Sequence, residues 1–206
     1  MRLRRLLLAV LAVAGSAAVA PEAHAWPGIP RPTIAVNGGL TFAVTGEPSA
    51  GGASFAGAAM WPLQGRYRTG LEVYADDLGT STEELRDPND GTPLGSTAGL
   101  HRWTYGFAWN LEADAWKLGR WSGAASGAWG YWRVEDDHLG ETVSAASAVG
   151  FRLGADARRP MGPGTDVGVS LNYRRLADGG PNDTQRVGRY ASIALQFRWA
   201  GAGGSD

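Results

Sequence analysis

The chain of 206 residues carries 19 Lys and Arg against 20 Asp and Glu, a formal net charge of −1. That balance excludes the strongly basic surface of a nucleic-acid binder. With no Cys there is neither a disulfide framework nor a cysteine for a lipoprotein anchor. The 31 Gly, 9 Trp and 6 Tyr favour an all-β chain rich in turns, and no stretch beyond the N-terminal apolar run approaches the ~20 apolar residues of a membrane helix.

Met1 is followed by Arg2, Arg4 and Arg5, an apolar run from Leu6 to Val19, then Pro21 and the small-residue site Ala23-His24-Ala25. A basic start, an apolar centre and an A-x-A site are the parts of a cleaved Sec signal peptide. The run is short for a bilayer span. Residues 1–25 are therefore expected to be removed, leaving 26–206 as one domain that begins at Trp26.

From there the hydrophobic period is two nearly everywhere, which marks strands with two unlike faces. Ile34 to Thr45 alternates Ile34, Val36, Leu40, Phe42 and Val44 with Thr33, Asn37 and Thr41. Ala53 to Leu63 carries Phe55 and Trp61 on one face and mostly Ala and Ser on the other. Tyr67 to Ala75 sets Thr69, Leu71 and Val73 against Arg68, Gly70, Glu72 and Tyr74. Leu100 to Glu112 sets Trp103, Tyr105, Phe107, Trp109 and Leu111 against Arg102, Thr104, Ala108 and Asn110. Trp116 to Val134 places Trp121, Trp129 and Tyr131 opposite Arg120, Ser122 and Ser126, and is long and Gly-rich enough to expect a bulge or bend. In Val143 to Ala157, Val149, Phe151 and Leu153 oppose Arg152 and Asp156. Then Val167, Val169, Leu171 and Tyr173 oppose Asp166, Ser170 and Arg174. In Arg189 to Ala200, Ile193, Leu195, Phe197 and Trp199 oppose Ser192, Ala194, Gln196 and Arg198. The connections Pro62 to Arg66, Glu112 to Ala115 and Ala157 to Gly164 are turn-like. Leu78 to Thr97, Glu135 to Glu141 and Ala177 to Arg186 are more polar, and the first is long.

That pattern predicts eight strands of about the ~9–11 residues a tilted membrane strand needs. Volume decides which face looks inward. An eight-stranded barrel has an interior barely wide enough for its own side chains. The bulky aromatics and aliphatics would not fit there, whereas small residues and a few long charged ones would. The expected fold is therefore an inverted, antiparallel up-and-down transmembrane β-barrel. Interfacial girdles at the ends of the apolar band are assigned to Trp61, Tyr67, Trp103, Trp109, Trp129, Tyr131, Tyr173, Phe197 and Trp199.

With the strands placed, the chain resembles the small eight-stranded bacterial outer-membrane barrels, such as the transmembrane domain of outer-membrane protein A and its shorter relatives. The resemblance covers roughly Pro32 to Ala200 and implies the outer membrane as location. It also implies outer-membrane lipid and lipopolysaccharide as surroundings and the barrel-assembly machinery as a folding partner. Ser192-Ile193-Ala194-Leu195-Gln196-Phe197-Arg198-Trp199 is similar to the assembly signal that ends such barrels, on positions Ser192, Ala194, Phe197 and Trp199, with Ala194 in place of Gly and Ala200 to Asp206 following.

Parity points Arg68, Glu72, Arg102, Glu112, Arg120, Arg152, Asp156, Asp166, Arg174 and Arg198 into the lumen, with Glu72, Arg102, Arg120 and Arg152 nearest mid-height. Charges so enclosed should form ion pairs or hold water, either as a polar filling that fixes strand register or as a gate in a narrow pore. The acidic clusters Asp76, Asp77, Glu83, Glu84, Asp87, Asp90 and Glu135, Asp136, Asp137, Glu141 lack the spacing of a calcium loop, so no metal and no cofactor is expected. Some eight-stranded outer-membrane barrels modify lipid A with His, Ser and a carboxylate. Here His101 and His138 have no evident nucleophile beside them, and catalysis is not expected. The reading is a monomeric barrel with a structural or surface-interaction role, with a narrow porin-like channel as alternative and a lipid A-modifying enzyme third.

Overall fold

The computed structural model describes residues 30–43, 51–86, 92–138, 141–176 and 189–200. The expected signal peptide, Val44, Thr45, Asp87, Asp90 and the connection Ala177 to Arg186 lie outside them. Every element among the described residues is a strand: β1 (Thr33–Ala43), β2 (Gly52–Pro62), β3 (Tyr67–Arg86), β4 (Pro93–Leu118), β5 (Trp121–His138), β6 (Glu141–Gly162), β7 (Thr165–Leu176) and β8 (Arg189–Ala200). They pair antiparallel in chain order, and β8 returns to β1 to close an eight-stranded up-and-down barrel without free edges.

Register fixes the tilt. Following paired residues once around leads from Trp199 through Ile34, Ala59, Leu71, Trp109, Trp129, Phe151 and Arg175, and arrives on β8 at Arg189, ten residues from the start. Such an offset inclines the strands steeply to the axis, as closure of a small barrel requires. At one end the connections are residues 63–66, 119–120 and 163–164, and the first and last strand residues, Thr33 and Ala200, pair there. Short turns mark the periplasmic end of outer-membrane barrels; we call this end lower.

The two faces differ as volume demands. Val149 is 66% exposed on the outer wall, Leu195 60% and Trp129 57%, while Arg174 on the inner face is 1% exposed. A wall of exposed Leu, Val, Phe and Trp far exceeds what a water-soluble monomer presents; it suits hydrocarbon. Inside, Ala35, Ala56, Ala108, Ala124, Ala128, Ala148 and Ala194 leave space between the buried charged side chains.

Strand lengths depart from expectation. Glu112 to Ala115 is not a connection, because β4 runs on to Leu118 and the turn comes at residues 119–120, which also cuts the expected Trp116 to Val134 strand. A bulge between Asp114 and Trp116 swings Trp116 to the outer face, where its indole lies over Gly123; a Cβ on that residue would collide with the ring. Ala157 to Gly164 is likewise strand up to Gly162. At the upper end most of Leu78 to Thr97 and Glu135 to Glu141 continues the ladder, with β3 reaching Arg86 and β4 starting at Pro93. A strand beyond the hydrocarbon needs no apolar face, so the period-two signal fades there while the backbone hydrogen bonds persist.

The lumen as candidate functional site

Inward parity brings the charges of β3 to β8 onto the axis in tiers. Lowest is a cluster around Glu112. Arg68 Nη1 and Arg198 Nη1 each donate to its Oε1 at 2.7 Å, and Arg158 Nη1 approaches the same oxygen at 3.4 Å. Asp114 accepts from Arg68 Nη2 at 2.9 Å and from Arg158 Nη2 at 2.6 Å. Asp156 accepts from Arg158 at 3.1 Å, and Asp166 lies 3.9 Å from it. Bidentate and shared guanidinium contacts of this kind are the strong class of polar contact.

The middle tier is built on Glu72, which accepts from Arg152 Nη2 at 2.8 Å and Asn110 Nδ2 at 3.0 Å, with Arg174 Nη2 at 3.6 Å. Arg152 also donates to Ser126 Oγ at 2.9 Å and Asn172 Oδ1 at 2.8 Å. Gly154 makes this crowding possible, since a Cβ there would overlap the Arg152 guanidinium. Between the lower and middle tiers is a polar cavity of about 20 Å³, room for a water or two. Asn37, Asn110, Arg152, Gln196 and Arg198 line it, and each has a buried polar atom without a protein partner.

Above Glu72 the lumen is closed by side chains, two of which keep a buried nitrogen without a protein partner, Arg174 Nε and Trp132 Nε1. Asp76, 0% exposed, accepts from Tyr190 at 2.8 Å and Ser54 at 2.5 Å and pairs with Arg174 Nη1 at 3.2 Å. Thr104 bonds the Tyr190 hydroxyl at 2.9 Å. The Arg174 guanidinium lies over the rings of Tyr74 and Tyr190, and Tyr74 meets Trp132 with centroids 5.1 Å apart. Trp132, itself 0% exposed, packs in one cluster with Leu78, Val134, Ala148 and Leu176. Above this plug, Arg102 grips Asp136 through two bonds of 2.7 and 3.1 Å.

Of the residues expected in the lumen, Arg68, Glu72, Arg102, Glu112, Arg152, Asp156, Asp166, Arg174 and Arg198 lie on its inner wall. Arg120 does not; it occupies the β4–β5 turn and is exposed, because that turn falls later than the expected one. Arg102 sits with Asp136 near the upper mouth, not at mid-height. Four members were missed: Asp76, Asp114, Asp136 and Arg158. Each lies just past an assumed strand end, and carrying strand parity onward would have found Asp76, Asp114, Asp136 and Arg158.

Among the girdle residues, Trp61, Tyr67, Phe197 and Trp199 sit near the lower rim, joined there by Trp116 and Trp121. Trp103, Tyr131 and Tyr173 lie towards the upper one. Trp109 and Trp129 face each other halfway along the rising row from Trp199 to Arg189, so they belong to the middle of the band. In β8, Ser192 and Ala194 face the lumen while Phe197 and Trp199 face outward.

His101 has more company than the sequence suggested. An extra residue between Asp77 and Gly79 reverses parity in β3 and puts Thr80 opposite His101. Thr80 Oγ1 lies 3.2 Å from His101 Nδ1, and Asp77 Oδ1 is 3.0 Å from His101 Nε2 while also accepting from Gly79 N at 2.7 Å. These contacts tie both sides of the bulge to β4. The side chains of His138, Glu83 and Glu84 lie outside the described set, and among the described residues no group of three His, Asp or Glu converges as a metal site would.

No family model matches the sequence, and no curated protein matches it. Solved structures do match in shape. Neisserial surface protein A aligns with a TM-score of 0.56 at 11% identity, over 82% of this chain and 94% of its own. A major outer-membrane protein from Thermus thermophilus aligns at 0.50 and 11%, over 82% and 98%. The attachment invasion locus protein Ail of Yersinia pestis gives 0.48 and 9%, over 83% and 98%. By closure, strand number, inverted faces and the likeness to the first two of these, the chain has the fold of the small eight-stranded outer-membrane barrels.

Proposed function

We propose that the protein is a monomeric integral outer-membrane barrel with a structural or surface-interaction role, closed to solutes and non-catalytic. It is exported by a Sec signal peptide, inserted by the barrel-assembly machinery through β8, and surrounded by outer-membrane lipid and lipopolysaccharide. The observation that carries this reading is the plug: Trp132, Tyr74 and Arg174 fill the cross-section with at most 2% exposure each, and a lumen filled by its own side chains leaves no path. In planar bilayers the wild type is expected to be silent and to show heat-modifiable gel migration. Trp132→Ala, which removes the largest plug side chain, is expected to admit small ions. Discrete conductance steps from the wild type would instead establish a narrow channel, a reading favoured by the polar cavity beneath the plug. The Thr80–His101–Asp77 cluster serves the bulge in this reading, so lipid A recovered after expression should have an unaltered mass.

A further inference from the structure

Charged side chains on the outer wall near the upper rim include Arg133, whose Nε bonds Glu135 Oε1 at 2.9 Å. Arg175 and Arg189 are different. They face each other directly across β7 and β8, are exposed, and share the outward parity of Leu171, Tyr173 and Ile193. Cross-strand partners stand ~4.5–5.5 Å apart at Cβ, and like charges so placed repel. Neither takes part in an ion pair among the described residues.

The surface just below them is equally specific. Ala191 pairs with Tyr173 on one side and with Phe42 on the other, so a small residue stands between two aromatic positions in the outward row next below Arg175 and Arg189, with the Tyr173 ring 6.5 Å from that of Phe151. One row lower, Ile193 is flanked by Leu171 and Leu40. A doubled cation therefore caps an apolar notch at the edge of the hydrocarbon band.

We propose that Arg175 and Arg189 clamp the phosphate of a phosphorylated lipid headgroup, whose acyl chain lies over Ala191 between Tyr173 and Phe42. A phosphate offers oxygens to two guanidinium forks at once and turns their mutual repulsion into shared attraction. The notch below favours a phosphate that carries an acyl chain over a free one. At the rim opposite the short turns, such a headgroup is a phosphorylated lipid A. This inference rests on the membrane reading above, which supplies the lipid.

The test uses the full chain in detergent, analysed by native mass spectrometry with diphosphorylated lipid A, with the dephosphorylated lipid, and with inorganic phosphate as competitor. The wild type should prefer the phosphorylated lipid by about tenfold, the scale of one good charge-assisted contact, and millimolar phosphate should not displace it. Arg175→Gln with Arg189→Gln should abolish the preference while heat-modifiable migration persists, and the double Lys variant should retain part of it. Ala191→Trp, which fills the notch and leaves the arginines, should weaken retention of both lipids. An unchanged preference in the double Gln variant overturns the proposal, as does displacement by inorganic phosphate, which would mean a free-anion site. Asp178→Asn with Asp183→Asn should leave the preference in place; a rise would show that carboxylates of the β7–β8 connection neutralise the pair, and also overturns it. A chain that proves soluble without detergent defeats the membrane reading itself, a separate outcome.

Discussion

Around Glu112 three arginines share one carboxylate, three further acids stand by, and part of the cluster meets water, with side-chain exposures of 25% at Arg68 and 38% at Asp114. Around Asp76 a single arginine, one tyrosine and a serine close on a carboxylate that is 0% exposed. The lower cluster is redundant and wet; the upper one is singular and enclosed. Buried charges survive where each is paired and hydrogen-bonded, and the loss of one partner is costly chiefly because the other is stranded. The cost of losing a charge should therefore depend on how many alternatives remain and on whether water or salt can take its place.

The largest loss is expected from Asp76→Asn. The substitution keeps the size of the side chain but removes the charge and replaces one of its two accepting oxygens, Oδ1 for Ser54 and Oδ2 for Tyr190, by an NH2 donor. Arg174, 1% exposed, is left with Glu72 at 3.6 Å, Ser192 Oγ at 3.3 Å and the faces of Tyr74 and Tyr190. A loss of ~3–5 kcal/mol is expected, typical of breaking a buried pair, read from urea unfolding in lipid vesicles followed by tryptophan fluorescence. A loss under ~1 kcal/mol, the surface-pair range, would show that these remaining contacts satisfy Arg174 and that the upper tier is not singular.

Glu112→Gln strands three arginines, yet Asp114 and Asp156 remain within reach of Arg68 and Arg158. Arg198 loses most, since both its terminal nitrogens point at Glu112. The expected loss is ~2 kcal/mol, the low end for truncating one side of a hydrogen-bonded charge pair. Salt separates the tiers: at ~1 M the Debye length is about 3 Å, so counter-ions should recover part of the Glu112→Gln loss and none of the Asp76→Asn loss. Equal salt response of the two variants would mean that water enters both tiers alike.

How far these tiers were legible in the sequence follows from what imprints a period. Within the hydrocarbon, lipid demands an apolar residue at every second position, so Leu71, Phe107, Leu153 and Ile193 announced their strands and, by parity, Glu72, Arg152 and Arg174 announced the lumen. Outside it that demand lapses. Asp76, Asp136 and Arg158 lie where alternation has faded, although the backbone ladder still carries them inward. Bulges were the other blind spot. Those between Asp114 and Trp116 and between Asp77 and Gly79 each reverse parity within a strand, which is how Trp116 reached the wall and Thr80 met His101. Arg120 was misplaced for a different reason: a turn read a few residues early puts a loop residue inside the barrel. The plug was hidden differently: Trp132 and Tyr74 are bulky residues on the inner face, and a volume rule that sends large side chains outward gives no place to the few that seal the lumen.

The smallest effect offers the finest test of redundancy. Asp114 accepts from both Arg68 and Arg158, yet each of these also reaches Glu112, and Arg158 reaches Asp156 as well. Its carboxylate is 38% exposed, so its bonds compete with water in both the native and the unfolded chain. Asp114→Asn should therefore cost no more than ~1 kcal/mol, the range of exposed ion pairs, and less still as salt is raised. It should also leave the barrel silent in planar bilayers, because the seal lies above it. If Asp114→Asn proves as damaging as Glu112→Gln, the charges of the lower tier act as one rigid unit. Redundancy would then not distinguish it from the plug, and the difference between the two ends would come down to water alone.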